Sequence, residues 1–235
     1  MRIGVLGTGM VGQALATKLV QCGHEVTMGS RQPANPKAEK WAGEAGENAR
    51  AGTFTGAAEF GEVVVNATAG NVSLGALQMA GYHNLTGKVL IDVANPLTFD
   101  GGHPSLSVCN NNSLAEQIQR AYPDVKVVKT LNTVNASIMV EPALVPGDHN
   151  VFVAGNDNDA KTLVVGLLKD FGWPETNILD LGDVTAARGM EGYLLLWLRM
   201  YQSLHTATFN VAVTKPSNQP PIGPAPGPGD GATSD

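Results

Sequence analysis

Four apolar residues, Ile3 to Leu6, run directly into Gly7, Thr8, Gly9, Met10, Val11 and Gly12. A glycine spacing of this kind carries weight only when it follows a strand and opens a helix. Both conditions are met in the pattern. Arg2 to Leu6 is a compact strand-like run, and Val11, Ala14, Leu15 and Leu19 fall on one face of a helix that Cys22 and Gly23 end. Glu25 to Met28 then reads as a second strand, which completes a strand, crossover helix and strand of ordinary length. In such a turn Gly7 allows the tight bend, Gly9 lets the backbone approach a diphosphate, and Gly12 permits close helix packing. The diphosphate would rest on the amides at the helix start.

The end of the second strand distinguishes dinucleotides. An NAD site carries Asp or Glu there to accept from the ribose hydroxyls. This chain has Gly29, Ser30 and Arg31, with Lys37 a few residues on. A guanidinium fork suits a phosphate dianion, and no acid stands by to repel it. NADP is therefore the expected dinucleotide, and a solvated loop arginine is the alternative for Arg31.

Strand and helix patterns alternate through most of the remaining chain. Pro36 to Gly46 reads as a short helix, Gly52 to Gly56 as a small strand around Phe54, and Val63 to Ala67 as a strand buried on both faces. Asn66 to Asn71 forms the turn after it. A helix from about Leu74 to Ala80 leads to a strand over Lys88 to Val93. Ser113 with Glu116 three residues later is a capping box for a helix reaching Tyr122. Val125 to Leu131, Val151 to Ala154 and Ile178 to Leu181 read as strands, with a helix near Asp159 to Phe171 before the last. This alternation predicts a doubly wound, mostly parallel sheet of the Rossmann type. Its ligands bind beyond the carboxyl ends of the strands.

Thr185 to Thr206 differs from what precedes it. Met190, Leu194, Trp197, Tyr201 and Leu204 fill one helical face, and Leu195, Leu196 and Leu198 widen it, which predicts burial on several sides. A second subunit, a pocket roof or a wholly intramolecular core would each supply that burial. Residues 1–183 are thus expected to form the dinucleotide-binding domain and 184–214 a C-terminal apolar helical segment. Residues 215–235 are expected to be a disordered tail, since Pro216 to Asp235 holds six prolines and four glycines without an aromatic residue.

Composition narrows the function. With 235 residues and 43% hydrophobic content the chain can bury one substantial core. A net charge of −6 without a basic run argues against nucleic acid. Cys22 and Cys109 lack metal-like or paired spacing, and no metal site is expected. A strand starting at residue 2 and the absence of a long apolar run give a cytoplasmic expectation with no membrane partner. His24, His83, His103, His149 and His205 are scattered; His205 could face a pocket from the long helix, and a core or interface role is the favoured alternative. Dehydrogenases of hydroxy acids share the opening fold but add a large helical substrate domain with a catalytic lysine. Only about 30 residues of strong helix follow the sheet here, which discounts them, and Lys129 on its strand is the one lysine worth testing for that role.

With these residues laid out, residues 1 to 214 resemble the NADPH-dependent coenzyme F420 reductases, and more loosely the oxidoreductase domain of the STEAP metalloreductases. The resemblance rests on Ile3 to Gly12, Gly29 to Arg31, Asn66 to Ala69, Asp92 to Pro96 and Lys129 to Ala136, with weaker support from Ala187 to Val213. It implies that Thr8 to Val11 hold the pyrophosphate and that Ser30 and Arg31 grip the 2′-phosphate. Ala67 and Thr68 would line the ribose side, while Asn95, Pro96, Thr133, Asn135 and Ala136 would wall the nicotinamide. The proline-rich tail is not part of the pattern, and no motif matches the deazaflavin side. The implied reaction is hydride transfer between NADP(H) and coenzyme F420 as second substrate, with no dedicated catalytic acid or base. A small-molecule acceptor and a homodimer are expected. A flavin, quinone, imine or metal chelate could replace the deazaflavin on the same scaffold, and a non-catalytic NADPH sensor would share the donor site.

Overall fold

The computed structural model describes residues 1–216. The chain runs β1 (Arg2–Leu6), α1 (Met10–Gln21), β2 (Glu25–Ser30), α2 (Pro36–Ala45), β3 (Ala49–Thr53), α3 (Phe54–Phe60), β4 (Val63–Asn66), α4 (Ser73–Ala80), α5 (Tyr82–Leu85) and β5 (Val89–Asp92). It continues through β6 (Leu97–Asp100), β7 (His103–Leu106), α6 (Leu114–Ala121), β8 (Lys126–Thr130), α7 (Ala136–Val140), β9 (Val151–Gly155), α8 (Asn158–Asp170), β10 (Ile178–Asp180) and α9 (Ala187–Leu204).

Eight strands form one sheet in the order β10-β9-β8-β5-β4-β1-β2-β3, and β6 pairs with β7 as a separate hairpin. All neighbours in the large sheet are parallel except β8 and β9. This is the doubly wound, mostly parallel sheet that the alternation predicts. The winding reverses at β1, which pairs with β2 on one side and β4 on the other, so a crevice opens past their carboxyl ends. Because β9 runs back against β8, the long connection between them stays at that same end.

Helices cover both faces, and the strands alternate between two cores. Ile3, Val5, Val63, Val65, Val89, Ile91 and Val128 pack toward α1 and α8. Leu6, Val64, Leu90 and Val127 pack toward α3, α4 and α6. Burial on two faces is why these strands read as unbroken apolar runs. Gly4 marks where α3 presses closest: a Cβ there would sit 2.1 Å from the Ala57 carbonyl oxygen.

Two local expectations are corrected, and some short elements are unexpected. Phe54 lies in a helix, not in a strand: Thr53 accepts from the Gly56 amide as its cap, and Phe54, Ala57 and Ala58 turn to the core at helical spacing. The strand there is β3, which ends at Thr53. The hairpin β6–β7 and the short helices α5 and α7 have patterns too brief to register as periodic. Within α1 the buried residues are Gly12, Leu15, Ala16 and Leu19, so Ala16 rather than Ala14 completes the face.

The long apolar helix is the largest departure. In α9 only Ala187, Met190 and Glu191 are buried, whereas Leu195, Leu196, Tyr201 and Leu204 are 40–57% exposed. A wholly intramolecular core helix is thereby excluded for the chain as described. The tail expectation for 215–235 falls, beyond Pro216, outside the described residues.

Candidate functional site

The glycine turn is built as its sequence requires. Gly7 adopts φ +124 and donates its amide to the Gly29 carbonyl at 3.0 Å, tying the turn to β2. Gly12 touches the same turn: a Cβ there would lie 2.2 Å from the Gly7 oxygen. Gly9 is the N-cap of α1, lacks a side-chain cap, and a Cβ on it would meet nothing within 4 Å. Gln13 braces the loop from below by donating to the Thr8 carbonyl at 2.9 Å. No acidic residue stands in the first turn of α1, so its positive end faces open space.

On one side of Thr8 lies a cavity of about 190 Å³ lined by Gly7, Ser30, Arg31, Gln32, Asn35 and Phe54. Ser30 is buried, and its hydroxyl donates to the Gln32 carbonyl at 2.5 Å while accepting from the Gln32 amide. It therefore shapes the turn that presents Arg31. Arg31 is exposed and makes no ion pair among the described residues. Lys37 is not brought beside it. Lys37 lines a separate cleft of about 280 Å³ with Gly9, Met10, Gln13, Lys40 and Trp41.

The third cavity, about 290 Å³, lies across the carboxyl ends of β4, β5 and β8. Met10 and Val11 from α1, Ala67 and Thr68 after β4, Val93 to Asn95 after β5, and Asn132 to Ala136 after β8 form its walls. Leu194 and Trp197 of α9 complete it. Pro96 is buried behind that wall: a Cβ on Gly70 would lie 2.1 Å from the Asn95 oxygen and 2.8 Å from Pro96 Cα, so Pro96 fixes Asn95 rather than facing the space. Asn95 and Asn132 hold each other, with Asn95 Nδ2 donating to the Asn132 carbonyl at 2.8 Å and Asn132 Nδ2 to Asn95 Oδ1 at 2.9 Å. Asn135 caps α7 through the Ser137 amide. Leu131, just before, holds φ +60, an unusual backbone for a branched residue.

Three buried polar atoms on this cavity's lining residues lack a partner: Asn132 Oδ1, Thr133 Oγ1 and Trp197 Nε1. Buried polar groups are normally satisfied, so the protein alone leaves this wall incompletely paired.

A solved structure from Arthrobacter sp. FB24, described as a putative F420-dependent NADP reductase, is 48% identical with a TM-score of 0.87, covering 92% of this chain and 100% of that one. The chain belongs to the coenzyme F420-dependent NADP oxidoreductase family. The family model for NADP oxidoreductase, coenzyme F420-dependent, matches residues 2–96. The F420-dependent NADP reductase of Methanocaldococcus jannaschii is 28% identical over 203 residues, 81% of this chain and 88% of that one. Metalloreductase STEAP3 of Rattus norvegicus is 28% identical over 191 residues, which are 81% of this chain but 36% of the relative. The chain thus spans about a third of the STEAP relatives' length.

As a member of this family the chain is an NADP-linked oxidoreductase, and its residues fit the dinucleotide. The space before Gly9 admits a diphosphate that any side chain there would obstruct. The unpaired Arg31 and the absence of an acid at the end of β2 suit a 2′-phosphate.

Two candidates take other places. Lys129 does not face the cavity. It is wholly buried, 2.8 Å from Asp92 and 2.9 Å from Glu191, and donates also to the Ala94 carbonyl. Burial pulls its ammonium down, but the two carboxylates outweigh that and hold it charged. His205 is neither in the pocket nor in the core; it is the exposed residue that ends α9 at φ +54. Sequence reasoning missed Glu191, an acid inside the long leucine-rich helix. Its presence among leucines was the available signal.

Proposed function

We propose that this protein transfers a hydride between NADPH and a 5-deazaflavin of the coenzyme F420 type. The observation that carries this reading is the lining of the 290 Å³ cavity: among the described residues it contains no ionisable side chain. NADPH, when bound, supplies the hydride from nicotinamide C4 for delivery to C5 of the deazaflavin. Such a transfer requires two rings held face to face in a dry slot, not a protein acid or base. An imine acceptor would instead need a proton donor beside it.

The chain's own residues orient and enclose. Thr8 to Val11 with Gly7 and Gly12 would hold the pyrophosphate, and Ser30 and Arg31 the 2′-phosphate, with Lys37 adding positive charge from the neighbouring cleft. Ala67 and Thr68 would stand against the ribose. Asn95, placed by Pro96, would wall the nicotinamide with Thr133, Asn135 and Ala136. Leu194 and Trp197 would exclude water from the two rings.

We read residues 1–183 as the dinucleotide-binding domain, 184–214 as roof and contact surface, and the protein as a cytoplasmic homodimer. The exposed face of Leu195, Leu196, Tyr201 and Leu204 supports the dimer. Light scattering that finds a monomer would remove that part. The reaction is tested by mixing the protein anaerobically with NADPH and the oxidised deazaflavin. Loss of deazaflavin absorbance is expected; flavin reduction in its place would move the acceptor, and tight NADPH binding without reduction of any acceptor would leave a sensor.

A further inference from the structure

Among the cavity walls, the ends of β4, β5 and β8 and the helix α9 are distant in sequence, and one buried polar chain joins these four. Thr68 Oγ1 donates to Asn66 Oδ1 at 2.7 Å, and Asn66 Nδ2 donates to Asp92 Oδ1 at 2.8 Å. Lys129 then bridges Asp92 and Glu191. Glu191 in turn accepts the Leu114 and Ala115 amides, at 2.7 and 3.1 Å, at the start of α6. Asn66, Asp92 and Lys129 are wholly buried and Glu191 is 1% exposed. Every link lies close to a wall: Thr68 lines the cavity, Asp92 precedes Val93, Lys129 precedes Asn132 by three residues, and Glu191 precedes Leu194 by three.

Stability alone is a poor reason for such a cluster. Two carboxylates share one ammonium, and a buried ion pair is often no better than apolar residues of equal volume. Burial indeed drives the Glu191 carboxyl upward, against the pull of Lys129 and the α6 amides. The Ser113 cap takes only the Glu116 amide, so Glu191 is the partner of the Leu114 and Ala115 amides. What the cluster adds is geometry. The amides and Lys129 fix where Glu191 sits, and the two turns after it carry Leu194 and Trp197.

We propose that Glu191 is a positioning residue that, through Lys129 and the start of α6, sets the height of α9 over the cavity and so the placement of Leu194 and Trp197. Arg188, bidentate on Glu116, and the Asn132 amide on the Met190 carbonyl hold the same turn. Loss of Glu191 therefore loosens the roof without releasing it.

The test compares cofactor-free wild type, Glu191→Gln, Glu191→Ala and Val164→Ala by amide hydrogen exchange. Val164, buried in α8 on the other face of the sheet, is a stability control. In Glu191→Ala the amides of 192–204 should exchange about tenfold faster while those of β1, β4 and β5 stay unchanged. Glu191→Gln, which keeps an acceptor oxygen, should fall between it and wild type, and Val164→Ala should leave α9 as it was. The kinetic arm rests on the proposed hydride transfer. Glu191→Ala should lower kcat by about tenfold to a hundredfold, the cost of ångström-scale misplacement, with the KM for NADPH within about twofold because the phosphate grips are untouched. Unchanged α9 exchange would overturn the proposal, as would equal acceleration of α9 and the sheet. If wild type itself fails to reduce the deazaflavin, the reaction reading falls while the exchange result still decides the role of Glu191.

Discussion

Lys129 Nζ stands 2.9 Å from the Glu191 carboxylate, with both side chains shut away from water, at the point where the sheet meets the roof helix. Removing the ammonium would leave Asp92 and Glu191 facing each other unpaired. Lys129→Met is therefore expected to cost about 3–5 kcal/mol of stability, the range for breaking a buried pair. Urea unfolding measures it. A loss below about 1 kcal/mol would mean that the pair is relaxed or hydrated in solution.

The three glycines of the turn differ in what they exclude. Gly12→Ala would drive a Cβ to 2.2 Å from the Gly7 oxygen, which is backbone and cannot swing aside. A stability loss of about 1–3 kcal/mol is expected from this overpacking. At Gly9, where φ is −80 and a Cβ meets nothing, alanine should leave stability within about 1 kcal/mol. It should nevertheless weaken NADPH about tenfold by crowding the diphosphate, a difference of roughly 1.4 kcal/mol. Thermal melts with and without NADPH separate the two; equal behaviour of both variants would contradict the close-approach role.

Arg31→Ala should weaken NADPH by roughly 1.5 to 3 kcal/mol, as for a hydrogen bond to a charged group, and leave NADH nearly unchanged. Calorimetric titration with both dinucleotides decides this. Equal losses would assign Arg31 to the solvated loop.

Glu116 gives a pH signature. The Arg188 hydrogen bonds hold its carboxyl below the ordinary glutamate value of 4.5, against an opposing push from burial. A lowered folded value means that the stabilisation is complete above 4.5 and is lost as pH falls from there through the folded value. The Tm difference between wild type and Arg188→Met should therefore be constant near neutrality and shrink in acid. A difference that grows on acidification would contradict the pairing.

The sheet and the donor half were legible because their signals are local. The turn before Gly9, the runs through Val63–Val65 and Val89–Ile91, and the absence of an acid after β2 are all readable within a few residues. The missed features lie in one local cap and in contacts distant along the chain. Phe54 looks like a strand residue until Thr53 is seen to cap the helix that follows. Lys129 looks like a free catalytic amine until Asp92 and Glu191 arrive from β5 and α9. The leucines of α9 read as buried because periodicity reports an apolar face, not what covers it.

The central claim is tested most directly by isotope. NADPH carrying deuterium at nicotinamide C4, on the transferred face, is mixed with the protein and oxidised deazaflavin in ordinary water, and the reduced product is examined by mass spectrometry. Direct transfer predicts one deuterium at C5 of the deazaflavin for each NADPH oxidised, together with a primary isotope effect on the single-turnover rate. A reduced deazaflavin that carries no deuterium, or NADPH that binds tightly and stays unoxidised, would contradict it.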